Sequence, residues 1–286
     1  MNELNDKKGF GQGFTHGGVF HADDVFSTAF LQLLNPDIRI SRGNLVLDGF
    51  NGIVYDIGGG QFDHHQADSR IRANGVPYAA FGLLWEQFGT QVLCREDADN
   101  FDRDFIQPID LADNTGEKNM LSLLIADKNP TWQDANGLGQ NEAFEKAVAF
   151  AKEILASRFN QIRAERDAYE IVSRKAAQCK DGILYLEHAM PWKAAVKNMD
   201  IIYVVYPSIR GGYNIQAVPK QADEKQLKRP FPEAWRGLDT EGLFRLTGIK
   251  DLHFCHKSGF LCAAGTLESA YKTAEMALES DDSIES

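Results

Sequence analysis

Over residues 11–60, short apolar runs alternate with one helical stripe. "GFTHGGVF", "DIRISRG" and "NGIVYDIGG" have the glycine-bounded texture of strands. Between the first two, Val25, Phe26, Ala29, Phe30, Leu33 and Leu34 recur at helical spacing. Asp23 and Asp24 stand at the amino end of that stripe, where negative charge suits the helix dipole. This βαββ punctuation predicts an α/β fold. "PYAAFGLLWEQFG" predicts a further helix opened by Pro77 and closed by Gly89. From Asn141 to about Gln178 there is neither Pro nor Gly, and Phe144, Val148, Ala151, Leu155, Phe159 and Ile162 keep a helical period. That length predicts a helix connecting two domains, or two abutting helices. After Gly182 the texture becomes β-rich: "ILYLEH", "IIYVVYPS" and "YNIQAVP", then a short helix "TEGLFRLTG", a hairpin "LHFCHKSGFLCAA" turning at Gly259, and a last helix "LESAYKTAEMALES". The pattern therefore divides the chain into a first domain (1–140), a connecting helix (141–180) and a smaller C-terminal α+β domain (181–286), with the tail "DDSIES" frayed.

Composition narrows the partners. Thirty basic against forty-one acidic residues give a net charge of −11, which argues against broad adhesion to nucleic acid or an anionic membrane. A local basic groove or a metal-neutralised acidic site stays compatible with it. Cys94, Cys179, Cys255 and Cys262 have no CxxC spacing and fit reduced thiols. Cys255 and Cys262 are expected as buried thiols rather than a hairpin disulfide. No uncharged apolar run approaches about 18 residues and the N-terminus has no apolar core, so a soluble, cytoplasmic protein with no membrane partner is expected, and a homodimer is compatible with this.

The chemistry concentrates near the start. His16, His21, His64 and His65 are four of the seven histidines, interleaved with Asp23, Asp24, Asp56 and Asp63. Imidazole with carboxylate is the ligand set of manganese, iron, zinc and similar ions. "FTHGGVFHADD" lies between a strand and a helix, and "VYDIGG" puts Asp56 at a strand's carboxyl end, where ligands gather in open α/β sheets. Gly58, Gly59 and Gly60 let the chain turn and present the next histidines to the same place. A single loop histidine is usually only solvated; the joint placement is what favours metal. "His21-Ala22-Asp23" also has the HxD form of a nonheme iron triad, but a strong helix begins at the aspartate and that reading leaves Asp56 without a role.

"DHH" at 63–65, with Asp56 upstream, resembles the DHH phosphoesterase superfamily. More closely, "THGGVFHADDV", "VYDIGG", "FDHHQ" and "IDLADNTG" in this order, then "RPFPEAWRGL" and "FCHKSGF", resemble the Myg1 family, formerly uncharacterised and described as exonucleases acting on RNA. The resemblance implies a DHH-type N-terminal domain with a mainly parallel sheet and a C-terminal substrate-binding domain. It implies His16, His21, Asp23, Asp56, His64 and Asp113 as ligands of two divalent cations, Mn²⁺ or Mg²⁺, with Asp56 bridging and Asp110 as a substitute for Asp113. It further implies that His65 meets the scissile phosphate and that Asp63 orients its neighbours. His21 stands where many relatives have aspartate, and "GFLCAAGT" lacks the histidine that ends the superfamily's glycine-rich segment.

Water activated between two cations and attacking phosphorus in line needs no side-chain nucleophile. His65, Arg236, His256, Lys257, Ser258 and Gly259 are candidate substrate contacts, although a hairpin turn and a surface arginine explain the last five equally well. Arg70 and Arg72 lie close behind the DHH motif and are weighed as further anion contacts or plain surface charges. The expected activity is a phosphodiesterase acting on RNA, oligonucleotides or nucleotides. The alternatives are a phosphohydrolase of dinucleotides or pyrophosphate and a non-enzymatic metal-binding regulator.

Overall fold

The computed structural model describes residues 11–134 and 139–280. The tail from Asp281, expected to fray, lies outside the described residues. The chain divides into two compact units, residues 1–162 and 163–286.

In the first unit β1 (Gln12–His16) leads through α1 (Ala22–Leu34) to β2 (Arg39–Gly43), and β3 (Ile53–Val54) follows. Both β2 and β3 pair with β1 in parallel, in the order β2-β1-β3. Parallel neighbours need a crossover, and α1 supplies it. Every residue of α1 from Ala22 to Leu31 is buried, so the helix is enclosed all round rather than on one face. Phe26 stacks near Phe81, and Phe30 meets Phe81 and Trp85. Each such fully buried side chain contributes roughly 1.5–3 kcal/mol by leaving water. The rest of the unit is helical: α2 (Ala80–Phe88), α3 (Arg95–Phe101), a π-helical turn (Asp102–Ile106), α4 (Gln107–Thr115) and α5 (Met120–Ala126).

Two expected boundaries shift. α2 begins at Ala80 and not at Pro77, because Pro77 pairs with Ile71 in an isolated antiparallel bridge and its carbonyl accepts a hydrogen bond from Arg72 Nη1. β3 ends at Val54, because Asp56 adopts a left-handed backbone with φ of 57°.

The long helix α6 (Gln140–Ala176) is continuous over 37 residues. Its Phe144, Val148, Ala151, Leu155 and Phe159 belong to the core of the first unit, while Val172 and Ala176 belong to a cluster of the second. In the second unit β4 (Ile183–Tyr185), α7 (Lys193–Val196), β5 (Tyr203–Pro207), β6 (Tyr213–Ala217), α8 (Thr240–Thr247), β7 (Leu252–Cys255), β8 (Leu261–Ala264) and α9 (Leu267–Glu279) follow in order. The sheet order is β4-β5-β6-β8-β7; β4 and β5 are parallel and the other pairs antiparallel. Cys255 and Cys262 face each other in register, both buried and both free. The protein is thus a mixed α/β structure with a parallel sheet and helices.

A buried ion pair ties the loop after the DHH segment to the helices. Arg72 donates to Asp102 at 2.7 Å and to Asp110 at 2.8 Å, and its guanidinium lies 3.8 Å from the Tyr78 ring centre. Gly82 stands opposite, its amide donating to Asp110 Oδ1; an added Cβ there would lie 1.9 Å from Asp110 Oδ2. Removing one partner of such a pair strands a buried charge. Arg72→Met is therefore expected to destabilise the protein by about 3–5 kcal/mol, read as a lower urea midpoint. An unchanged midpoint would refute this role.

Candidate metal centre

Three features of chain geometry converge. His16 ends β1, Asp23 and Asp24 occupy the first turn of α1, and Asp56 follows β3 beside them. His21 precedes α1 and its backbone amide donates to Asp24 Oδ1 at 2.9 Å. The left-handed Asp56 is costly for a residue with a Cβ, of order 1–3 kcal/mol, and such strain clusters at functional sites. Asp56 N donates to Phe62 O, so the glycine turn returns alongside β3 and delivers Asp63, His64 and His65. Asp63 holds this turn, accepting from Gly59 N at 2.7 Å and His65 N at 3.1 Å. Asp113 arrives from α4.

Asp56 offers its two oxygens to two histidines. Its Oδ2 lies 3.2 Å from His16 Nε2, and its Oδ1 lies 3.1 Å from His64 Nε2. His16 Nε2 is also 3.3 Å from Asp24 Oδ2, and His64 Nε2 is 3.3 Å from Asp113 Oδ2 and 3.6 Å from Asp23 Oδ2. Three groups have ligand atoms close enough for a cation: His16, Asp24 and Asp56; Asp56, His64 and His65; and His21, Asp23 and Asp113. All six expected metal ligands lie among them, and so does Asp24, which the sequence placed in the same histidine and aspartate cluster and at the amino end of the helix but which was not among the six.

Hydrogen bonding on the far ring nitrogens sets which nitrogen is bare. His16 Nδ1 donates to Gly17 O at 3.0 Å. Asn114 Nδ2 donates to Tyr78 O and Asp110 O, so its Oδ1 is the atom 3.3 Å from His64 Nδ1 and must accept from it. In their neutral forms both rings then turn an Nε2 lone pair toward carboxylates, an arrangement that demands positive charge between them. Asn114 was not anticipated; its place one residue after Asp113 carries no periodic signal.

Protons meet that demand in the metal-free protein. The hydrogen bond with Asp56 raises His16 to about 9. Burial pulls His64 down, but hydrogen bonds with Asp23 and Asp56 prevail and raise it to about 11. Burial, then the charge of Asp23, pushes Asp113 up to about 8, and burial and Asp23 push Asp24 well above the usual carboxylate range. Asp56 moves the other way: burial pushes it up, yet hydrogen bonds from His16 and His64 hold it at about 2. Both oxygens of Asp23 and one of Asp24 are buried without a hydrogen bond of good geometry. These orphaned oxygens and the mixed histidine and carboxylate donors fit divalent cations.

The other expected contacts are placed as follows. His65 is largely exposed; its Nδ1 lies 2.8 Å from Asp63 Oδ1, which leaves Nε2 available. Asp110 is engaged by Arg72 and stands outside the three groups. Arg70 pairs with Glu86 at 2.5 Å, and Arg72 is buried, so both are occupied by carboxylates of the protein rather than offered as anion contacts. In the second unit His256, Lys257, Ser258 and Gly259 form the β7–β8 turn, and Arg236 Nε donates to Phe231 O beside it. Gly259 has φ of 69°, and a Cβ there would lie 2.7 Å from Arg236 Nε, so glycine is required by both conformation and space. His256 Nδ1 accepts from Ser258 N, which shapes the turn. Among the described residues no helix is long and apolar enough to cross a membrane.

Histidines and aspartates gathered at the carboxyl ends of parallel strands define a candidate centre for divalent cations. The chain belongs to the MYG1 family: the family model MYG1_exonuc, described as an uncharacterised protein family (UPF0160), matches residues 13–278. It is 29% identical to the human MYG1 exonuclease over 326 residues, covering 92% of this chain and 85% of that protein. It is 26% identical to the MYG1 protein of Chlamydia pneumoniae, covering 93% of this chain and 96% of that one. A solved structure of RecJ from Thermus thermophilus in complex with Mg²⁺ is 12% identical with a TM-score of 0.29, covering 95% of this chain and 50% of that chain; so slight a likeness carries no argument here.

Since the surroundings raise His16, His64 and Asp113 alike, protons compete with a cation for all three near neutral pH. Mn²⁺ binding is therefore expected to release protons and to tighten as pH rises from about 6 to 9. Calorimetry in buffers of different ionisation enthalpy measures this; an affinity independent of pH would count against the assignment.

Proposed function

We propose that this protein is a metal-dependent phosphoesterase of the DHH type that hydrolyses phosphodiester bonds, acting as an exonuclease on RNA or short oligonucleotides. The observation that carries the reading is Asp56, which presents one oxygen beside His16 and the other beside His64 within a ring of buried carboxylates. Membership of a family whose human relative is named an exonuclease supports the choice of substrate. His16, His21, Asp23, Asp24, Asp56, His64 and Asp113 would hold two divalent cations, manganese or magnesium. Bound there, such ions supply a low-pKa water and polarise phosphoryl oxygens.

The remaining work belongs to the chain. Gly17 O and Asn114 Oδ1 keep the Nε2 atoms of His16 and His64 free of protons once the rings are neutral. Asp63 accepts from His65 Nδ1, so in the doubly protonated ring Nε2 donates to a non-bridging phosphoryl oxygen and the imidazolium neutralises developing charge. No hydroxyl or thiol nucleophile is required at the site. Arg236, His256, Lys257, Ser258 and Gly259 are the substrate contacts proposed for the second unit.

Purified protein with Mn²⁺ should be offered 5′-labelled RNA, linear and cyclic dinucleotides and pyrophosphate. Turnover of RNA or dinucleotides is expected, and turnover of none of these would sink the enzymatic reading. His64→Ala should lower the rate by more than about a hundredfold with the fold retained. Asn114→Leu should weaken Mn²⁺ binding about 10–100-fold, the usual effect of losing a group that orients a ligand; wild-type affinity in that variant would remove Asn114 from the role. A preference for pyrophosphate would favour the small-molecule alternative, for which the net charge of −11 is the supporting observation.

A further inference from the structure

We infer that a cavity of about 730 Å³ beside the histidines, built wholly from the first unit, seats the nucleoside attached to the reacting phosphate. This rests on the phosphoesterase reading above and specifies where that substrate's base lies. One wall carries His21, His64, His65 and Asp113, so whatever holds a phosphate there extends into this space. The same cavity is lined by α5, on which Met120, Leu123 and Ala126 follow at three-residue intervals and so share one face.

That face is unusual for a short helix. Met120 is 70% exposed and Leu123 53% exposed, while Ile125 is fully buried and anchors the helix in the core. Asn119 caps the helix by accepting from Ser122 N, so its side-chain oxygen is already engaged. Ser122 also lines the cavity, but its hydroxyl donates to the same Asn119 oxygen, so the exposed part of the wall is mainly the apolar Met120 and Leu123. A nucleobase has an apolar face whatever its identity, which makes such a surface tolerant of sequence. Lys118 lines the same cavity and suits an adjoining phosphate, although the Glu117 carboxylate beside it lines the cavity too, and the volume lies within the range of ordinary ligand pockets. A phosphate carrying no base would leave Met120 and Leu123 uncovered.

The test is equilibrium binding to the full chain with Mn²⁺, comparing AMP, UMP and ribose 5-phosphate. AMP and UMP are expected to bind similarly to each other and at least about fivefold more tightly than ribose 5-phosphate. Met120→Ser with Leu123→Ser should erase that advantage and leave ribose 5-phosphate unchanged; both positions are exposed, and far-ultraviolet dichroism verifies the fold. An equal affinity for all three ligands in the wild type, no binding of any, or an advantage that survives the double variant would overturn the inference. So would a dimer that the double variant dissociates without altering the ligand ratio, since the stripe would then join two copies. Because the readout is binding, the two proposals can fail apart. A base-dependent affinity without turnover of RNA or dinucleotides keeps the site and loses the activity, whereas turnover without base dependence does the reverse.

Discussion

Buried carboxylates crowded together repel one another, and the first unit is organised around that repulsion. Asp23 and Asp24 are completely buried, Asp56 nearly so, and Asp113 meets Asp23 and Asp56 through His64. No hydrophobic gain comes from placing them there. Protons on His16 and His64 and the upward shifts of Asp24 and Asp113 relieve the repulsion, and a cation bound among these groups would do the same.

The scaffold concentrates the charges through its topology. Three parallel strands end on one side, so His16 and Asp56, two residues past β3, arrive together although forty positions apart in sequence. The enclosed α1 directs its first turn at the same place, and its aromatic packing against α2 makes that direction rigid. Asp56 takes a backbone conformation that a side chain disfavours, and the next turn is bound back by Asp63. A strained aspartate and a carboxylate-clamped loop together hold His64 and His65 in successive but different positions.

Two aspartates one turn apart on α4 illustrate how burial assigns roles. Asp113 faces His64, while Asp110 is tied to Arg72 and the Gly82 amide. The first contributes to the centre; the second fixes the helix that carries it. The same ion pair keeps the Arg72 guanidinium on carboxylates of the protein, so a positive charge near the motif in sequence serves the frame.

Much of this was legible in the sequence. The helical period of α1, the glycine turn after Asp56, the unbroken stretch that becomes α6 and the turn at Gly259 are local properties, written in spacing and residue type. The gathering of histidine with aspartate near the start was legible for the same reason: the donor types are intrinsic to the side chains. What only the tertiary structure decided is which atoms meet. Asp24 joins the centre because α1 is buried on all sides, and Asn114 orients His64 because two backbone carbonyls hold its amide the right way round. Pro77 joins a bridge instead of opening a helix, and Arg72 turns inward to Asp102 and Asp110. Each of these depends on partners far along the chain, and neither periodicity nor propensity encodes a distance between residues that only folding brings together.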